Sequence, residues 1–374
     1  MLKRMTFPVA GVLAALLVSS PLWAQSRDPL PVPDLPGYRT LKCDFHMHTV
    51  FSDGEVWPTV RVQEAWRGGL DAIAITDHDD YHPHKGEVSD DISRPYEIAR
   101  PMARQLGLLL VPAAEITKGN LHFNALFTTH PNEFKGLELA AALRKARDQG
   151  AFVFWNHPGW KETAAWFPAV AAAHADGLIQ GIELTNGRTF YKEAFPWIGE
   201  KNLAILGNSD VHRLISTDYE PRQRPVTLVF AKTASLDGIR EALDAKRTAA
   251  WVNGEIWGGE AWLKGLWEGA VSLESGSLEF FPRIRTAGLQ FRNRSAIPFQ
   301  LRLRAAPAWL RVRLGDIAPE KTSGFFVEAA KDAPAGIQNV AIEIEIANLH
   351  AEPGRNLVMK VPVTVVVAAP TAGS

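Results

Sequence analysis

Cysteine is all but missing from this chain. Cys43 is the only one in 374 residues, so no internal disulfide forms in any compartment. It lies in a short apolar run and reads as a core residue, on the opposite alternation to His46 and His48. An excess of charge is missing too: 40 Lys+Arg against 41 Asp+Glu leave a formal charge of -1, which excludes a protein built to coat nucleic acid. Past the first two dozen residues no apolar run approaches a membrane span. What remains is ordinary globular composition, 46% hydrophobic and 22% charged, long enough for more than one domain.

The start of the chain stands apart. Lys3 and Arg4 precede an apolar run from Phe7 to Val18, then Ser19-Ser20-Pro21 and Leu22-Trp23-Ala24. This pattern predicts a secretory signal peptide over residues 1–24, cleaved after Ala24, and a periplasmic or secreted mature chain. The run is short for a hydrocarbon core of ~30 Å, and no cysteine follows it to carry a lipid. Pro29, Pro31, Pro33 and Pro36 then predict an extended tether over 25–38.

From residue 39 strand-like and helix-like segments alternate. Strands are expected at Leu41–His46, Leu70–Thr76, Leu108–Ala114, Leu121–Phe127, Ala151–Trp155, Gly181–Leu184, Leu203–Leu206 and Val226–Phe230. Helices are expected from Pro58 to Trp66, stopped by Gly68-Gly69, from about Arg94 to Leu106, along the Leu139, Leu143, Ala146 stripe, and after a Ser235 cap. Short buried strands alternating with helices predict a parallel sheet, closed or open, over 39–262. Nearly every polar cluster falls just after a strand, where the chemistry of a (β/α) barrel sits. Residues 263–274 read as a linker, and the Trp- and Gly-rich stretch Trp251–Trp267 as the junction between domains. Beyond 275, alternations such as Phe299, Leu301, Leu303 and Ile342, Ile344, Ile346 predict a small all-β sandwich over 275–374.

The groups at strand ends are His46, His48, Asp53, His78, Glu115, His122, His157, Asp210 and His212. Imidazoles and carboxylates suit Zn²⁺, Mn²⁺ or Fe²⁺, and the lack of thiolate argues against a closed structural zinc site. There are too many for one ion. With a bridging carboxylate such as Glu115 they would serve two or three divalent ions.

In order, His46-Met-His48-Thr-Val-Phe-Ser-Asp53-Gly, Thr76-Asp77-His78-Asp79, Pro112-Ala-Ala-Glu115, His122-Phe-Asn-Ala-Leu, Asn156-His157-Pro and Ser209-Asp210-Val-His212 resemble the motifs of the PHP (polymerase and histidinol phosphatase) family over about residues 39–250. The resemblance implies a distorted (β/α)7 barrel with a di- or trinuclear metal centre. It implies His46, His48, Glu115 and Asp210 on one ion, Glu115 bridging to a second held by His122 and His157, and Asp53, His78 and His212 on a third. The sandwich is similar to the C-terminal domain of some secreted PHP phosphodiesterases.

The function expected is hydrolysis of phosphate esters, diesters before monoesters. Two ions ~3.5–4 Å apart can hold a bridging hydroxide for in-line attack at phosphorus. Glu115, Asp210, His212 and Arg188 are the expected catalytic set, with Arg188, Lys118 and Arg213 as cations for non-bridging oxygens. Asp77 and Asp79 are candidates to support the histidines, and His82 or His84 to line the entrance. A phosphomonoesterase, a short-oligonucleotide exonuclease and a metal-retaining surface-binding protein are the alternatives. The partner expected is a small phosphoester, with no stable nucleic-acid partner; the sequence does not specify an oligomeric state.

Overall fold

The computed structural model describes residues 26–220 and 222–369. The expected signal peptide, residues 1–24, lies outside the described residues. Among the described residues no helix is long and apolar enough to cross a membrane.

The first half is built on twelve strands, β1 (Arg39–Asp44), β2 (Ala72–Ala74), β3 (Leu109–Val111), β4 (Ala113–Lys118), β5 (Leu121–Leu126), β6 (Phe152–Trp155), β7 (Gly181–Asn186), β8 (Thr189–Phe190), β9 (Ala204–Asn208), β10 (Val226–Ala231), β11 (Thr248–Val252) and β12 (Glu255–Gly258). They divide into two sheets, β12-β11-β10-β1-β2-β3 and β4-β5-β6-β7-β8 with β9 beside β7. The expected parallel sheet is thus mixed. The steps β1-β2-β3 and β6-β7-β9 are parallel, whereas β4-β5-β6 and β1-β10-β11-β12 are antiparallel. In the hairpins connection length decides this: Gly119-Asn120 alone joins β4 to β5 and Asn253-Gly254 joins β11 to β12, and a crossover to a parallel neighbour needs a dozen residues or more. Pro112, which has no N–H to give a ladder, separates β3 from β4 where one strand was expected.

Two isolated parallel bridges, Met47↔Val211 and His78↔Glu115, tie the sheets together just past the ends of β1, β2 and β9. His48 N donates to Val211 O at 3.0 Å and Asp210 N to His46 O at 2.9 Å, so the segments carrying these residues are stitched directly to each other. Between the sheets lies an apolar interior including Cys43, Phe45, Val111, Phe152, Phe154 and Leu206, closed on one side by Ile239 and Leu243. The last two belong to the helix Leu236–Asp244, where Ser235 Oγ caps Gly238 N at 3.0 Å.

The C-terminal part adds β13 (Val271–Leu273), β14 (Ser277–Phe280), β15 (Thr286–Asn293), β16 (Phe299–Ala305), β17 (Leu310–Val312), β18 (Asp316–Ile317), β19 (Thr322–Ala329), β20 (Gly336–Glu352) and β21 (Arg355–Val367). One sheet runs β13-β15-β19-β17. The other does not stop at the domain boundary: Leu349 and His350 of β20 pair in parallel with Ile256 and Trp257 of β12.

Two expected connecting segments turn out to be packed structure. Residues 263–274 fall in the helix Glu260–Ala270 and in β13, which pairs with β15. That helix buries Leu263, Leu266, Trp267 and Ala270, an i, i+3, i+4, i+7 stripe, and sets Trp267 against Phe299 at 5.2 Å between ring centroids. Within 25–38 Leu30 and Leu35 are buried, Thr40 Oγ1 donates to Pro33 O at 2.6 Å, and Ala296 N donates to Pro31 O at 2.7 Å. Instead of a free tether, the proline-rich segment lines the seam between the two halves.

Candidate metal centre

The bridged strand ends deliver the ligand-type side chains to one place. His46 and His48 leave β1 with period-two spacing and face the same way, their Nε2 atoms 3.2 Å apart. His78 follows β2, Glu115 and His122 stand on the β4–β5 hairpin, His157 follows β6, and Asp210 and His212 follow β9. Asp53 is returned by the tight turn after His48, where Gly54 N donates to Thr49 O at 3.0 Å. Four groups of potential ligands result: His46, His48, Asp210; His46, Glu115, His157; His78, Glu115, His122; and His48, Asp53, His78, His212. This differs in detail from the partition that the resemblance implies, since His46, His48 and His78 each reach two groups.

Glu115, fully buried, is the hub. Its Oε2 lies 3.3 Å from His46 Nε2, 3.3 Å from His48 Nε2 and 3.2 Å from His78 Nδ1. Its Oε1 lies 3.0 Å from His122 Nδ1 and 3.7 Å from His157 Nε2, and accepts from Asn156 Nδ2 at 2.8 Å. Its two oxygens thus serve different histidines.

The donor set fits cations. A carboxylate and a carbonyl only accept, so His46 Nδ1 donates to Glu183 Oε1 at 2.9 Å and His212 Nδ1 donates to Asp210 O at 2.8 Å. In the neutral ring the lone pair of His46 then sits on Nε2, 3.1 Å from Asp210 Oδ1. That of His212 likewise sits on Nε2, 3.3 Å from Asp53 Oδ1. Lone pairs facing carboxylates require a proton or a metal between them. Asp210 Oδ1 is buried without a hydrogen-bond partner of good geometry. His157 and Asp210 also hold positive φ, 25° and 51°, in the sparsely populated region where functional strain collects.

Electrostatics point the same way. Burial by itself would raise Glu115 and Asp210, but the surrounding histidines hold both well below the usual carboxylate range, and Asp53 follows them. For His46 burial opposes the charge, yet Asp210, Glu183 and Glu115 together raise it well above an ordinary histidine. His78 is raised to about 9, Glu115 and Asp53 outweighing burial, and His212 is raised by Asp53 and Asp210 against the same penalty. Burial, with His212 and His78 adding repulsion, lowers His48 to about 3.

The flanking residues divide. Asp77 accepts from Thr49 N at 2.7 Å and Ser52 Oγ at 2.6 Å, fixing the turn that carries Asp53 and not a ring nitrogen. Asp79 takes Lys118 Nζ at 2.6 Å, so both are engaged with each other. Arg213 pairs with the Asp218 carboxylate. Arg188 donates to Asp218 O at 2.8 Å and lines an open pocket of about 390 Å³ with Asn186, Ser209, Asp210 and Tyr219. His82 Nδ1 donates to Phe51 O at 2.9 Å beside the Asp53 turn, while His84 is exposed.

Sequence reading missed Glu183. Buried in β7, it accepts from His46 Nδ1 and from Asn208 Nδ2 at 2.9 Å on Oε1, and from His157 N and Asn186 Nδ2 at 2.9 Å on Oε2. A lone acid inside the apolar run Gly181-Ile-Glu-Leu was the available signal. Arg61 was missed as well; it donates to His48 O at 2.8 Å and Val211 O at 3.0 Å, bracing both ligand-bearing segments from behind.

Against known proteins, no family model matches the sequence. A stretch of 45 residues, 12% of the chain, is 51% identical to an uncharacterized protein of Methanocaldococcus jannaschii and spans about a fifth (21%) of that curated relative. A putative metal-dependent phosphoesterase of Bifidobacterium adolescentis, 17% identical, covers 54% of this chain and 95% of its own at a TM-score of 0.40, too loose a likeness to bear on the site. A two-domain protein of Bacteroides vulgatus, containing a predicted PHP-like metal-dependent phosphoesterase, is different: 39% identity, 91% of this chain and 100% of that one, TM-score 0.84. Fold and site together define a metal-dependent phosphoesterase of two domains. The chain belongs to the PHP-like metal-dependent phosphoesterase family.

Proposed function

We propose that the protein is an exported hydrolase of small phosphoesters, with diesters preferred over monoesters. The observation that carries the hydrolytic reading is the hub: one buried carboxylate, Glu115, within 3.7 Å of five imidazoles, with Asp210 and Asp53 completing the rim. His46, His48, Asp210 and Glu115 would hold one ion, Glu115, His122 and His157 a second, and Asp53, His78 and His212 a third. Divalent ions bound there supply Lewis acidity toward a phosphoryl oxygen and make water nucleophilic near neutral pH.

The chain's own residues do the rest. Glu115 divides its two oxygens between the histidine groups and sets their spacing. Glu183 fixes the His46 ring, leaving Nε2 directed inward. His212, its side chain 36% exposed, is the most accessible of the six imidazoles and stands at the rim, with Nδ1 held by Asp210 O and Nε2 turned toward Asp53. Arg188, beside Asp210 in the open pocket, is placed to contact a non-bridging oxygen. The diester preference is supported by the sandwich resemblance, and export by the Lys3-Arg4 and Phe7–Val18 pattern.

Metal-loaded protein assayed on a bis-aryl and a mono-aryl phosphate tests the reading. Turnover of the diester faster than the monoester is expected, with Glu115→Gln losing both. No hydrolysis of either with Mn²⁺, Zn²⁺ or Fe²⁺ would refute it, and faster monoester turnover would replace the diester preference.

A further inference from the structure

A phosphoester needs a cation that is not already committed. Near the centre Lys118 is paired with Asp79 and Arg213 with Asp218, and Arg188 stands on the Asp210 side, in the open pocket. Lys161 differs: among the described residues it makes no ion pair and no hydrogen bond, and its Nζ lies 3.6 Å from the centre of the Trp160 ring. It also holds a positive φ, 66°, uncommon for a lysine.

Trp160 is held against the metal ligands themselves. The turn His157-Pro158-Gly159-Trp160 closes with Trp160 N donating to His157 O at 2.9 Å. The indole centroid comes within 4.8 Å of the His122 ring and 5.4 Å of the His157 ring. The turn is tight because Gly159 lies on Tyr191, where a Cβ would meet the ring at 2.9 Å. Trp160 as a whole nevertheless remains 38% exposed. Exposed Trp57, tilted against Phe51 near the Asp53 turn, and exposed Tyr81 just past Asp79 add aromatic surface on the loops after β1 and β2.

From this arrangement we propose that Trp160 and Lys161 form the recognition lip of the site and select phosphoesters bearing a planar aromatic substituent. The ring of the substrate takes the Trp160 face that Lys161 Nζ covers in the free protein, and the displaced ammonium meets the phosphoryl charge beside His122 and His157. This deepens the phosphoester reading and rests on it. Sequence reading passed over the pair because Trp160-Lys161 carries no ligand chemistry of its own.

Binding of non-hydrolysable phosphonates to metal-loaded full-length protein, measured by calorimetry, tests the lip apart from turnover. Phenylphosphonate and cyclohexylphosphonate match in size and charge but only the first stacks. Wild type is expected to bind the phenyl compound about tenfold more tightly. Trp160→Ala should erase that ratio and Trp160→Phe should keep most of it, the latter guarding against simple misfolding. Lys161→Gln should weaken both ligands alike by about fivefold, with Lys161→Arg restoring them. Equal affinities in wild type, a ratio unchanged in Trp160→Ala, or no binding of either compound would overturn the proposal. Discrimination without turnover of phenyl phosphoesters would uphold the lip and instead remove the hydrolytic reading.

Discussion

At the residue scale the centre depends on acceptors that fix histidine rings. Glu183 satisfies four donors, two of them on or next to metal-ligand candidates, so removing its charge loosens both His46 and the His157 backbone. Glu183→Gln is predicted to lower metal affinity by about 10–100-fold, as read by competition with a chelator of known affinity. Protons and metal ions compete for the same nitrogens. His78 is raised to about 9 by Glu115 and Asp53 despite burial, and His46 and His212 are raised as well. Near neutrality His78 therefore holds a proton that a metal must displace, and His46 and His212 are shifted in the same direction. Affinity is predicted to rise as pH climbs toward 9, fall as pH drops to 6, and be accompanied by proton release into a weak buffer. The nine ligand candidates were legible because each lies in its own short motif, although Asp53 sits in a turn and Glu115 and His122 lie within the β4–β5 hairpin. Glu183 was not, because it meets His46, 137 positions away, only when β7 lies beside β9 and the end of β9 is stitched to the end of β1.

At the scale of elements, tight turns carry the site. Gly54 closes the turn that returns Asp53, and a Cβ there would sit 2.5 Å from both His48 C and Thr49 N, backbone that cannot yield without moving His48. Gly54→Ala is predicted to cost roughly 1–3 kcal/mol of stability by overpacking. It should weaken the Asp53, His78, His212 group more than the Glu115 groups, seen as loss of the weakest-bound ion in a metal titration. Element placement from sequence succeeded where a stripe and a cap agreed, as for the helix after Ser235, and strand direction was missed at the β4–β5 hairpin, where two residues of turn decide it. The stripe Leu263, Leu266, Trp267, Ala270 was also readable as a helix, but its glycines, Gly265 and Gly269, suggested a linker. They are small because they pack on Leu35 and Pro33.

At the scale of the whole molecule the two halves share backbone pairing and core. β20 continues the sheet from β12, and one cluster of buried side chains runs from Val62 and Phe230 through Trp267 to Phe291 and Ile344. Calorimetry of the apo-protein is predicted to show one cooperative unfolding transition instead of two. Removing residues 275–374 should leave an insoluble or unfolded first half, since it bares the β12 edge and Trp267. A soluble, folded truncation would show the halves to be independent.

The most direct measurement is elemental analysis of dialysed, metal-reconstituted wild type beside Glu115→Gln. Two or three divalent ions per wild-type chain, with at least one lost when the hub carboxylate is neutralised, is the predicted result. Fewer than two ions per wild-type chain, or an unchanged count in the variant, would contradict a shared centre built on Glu115.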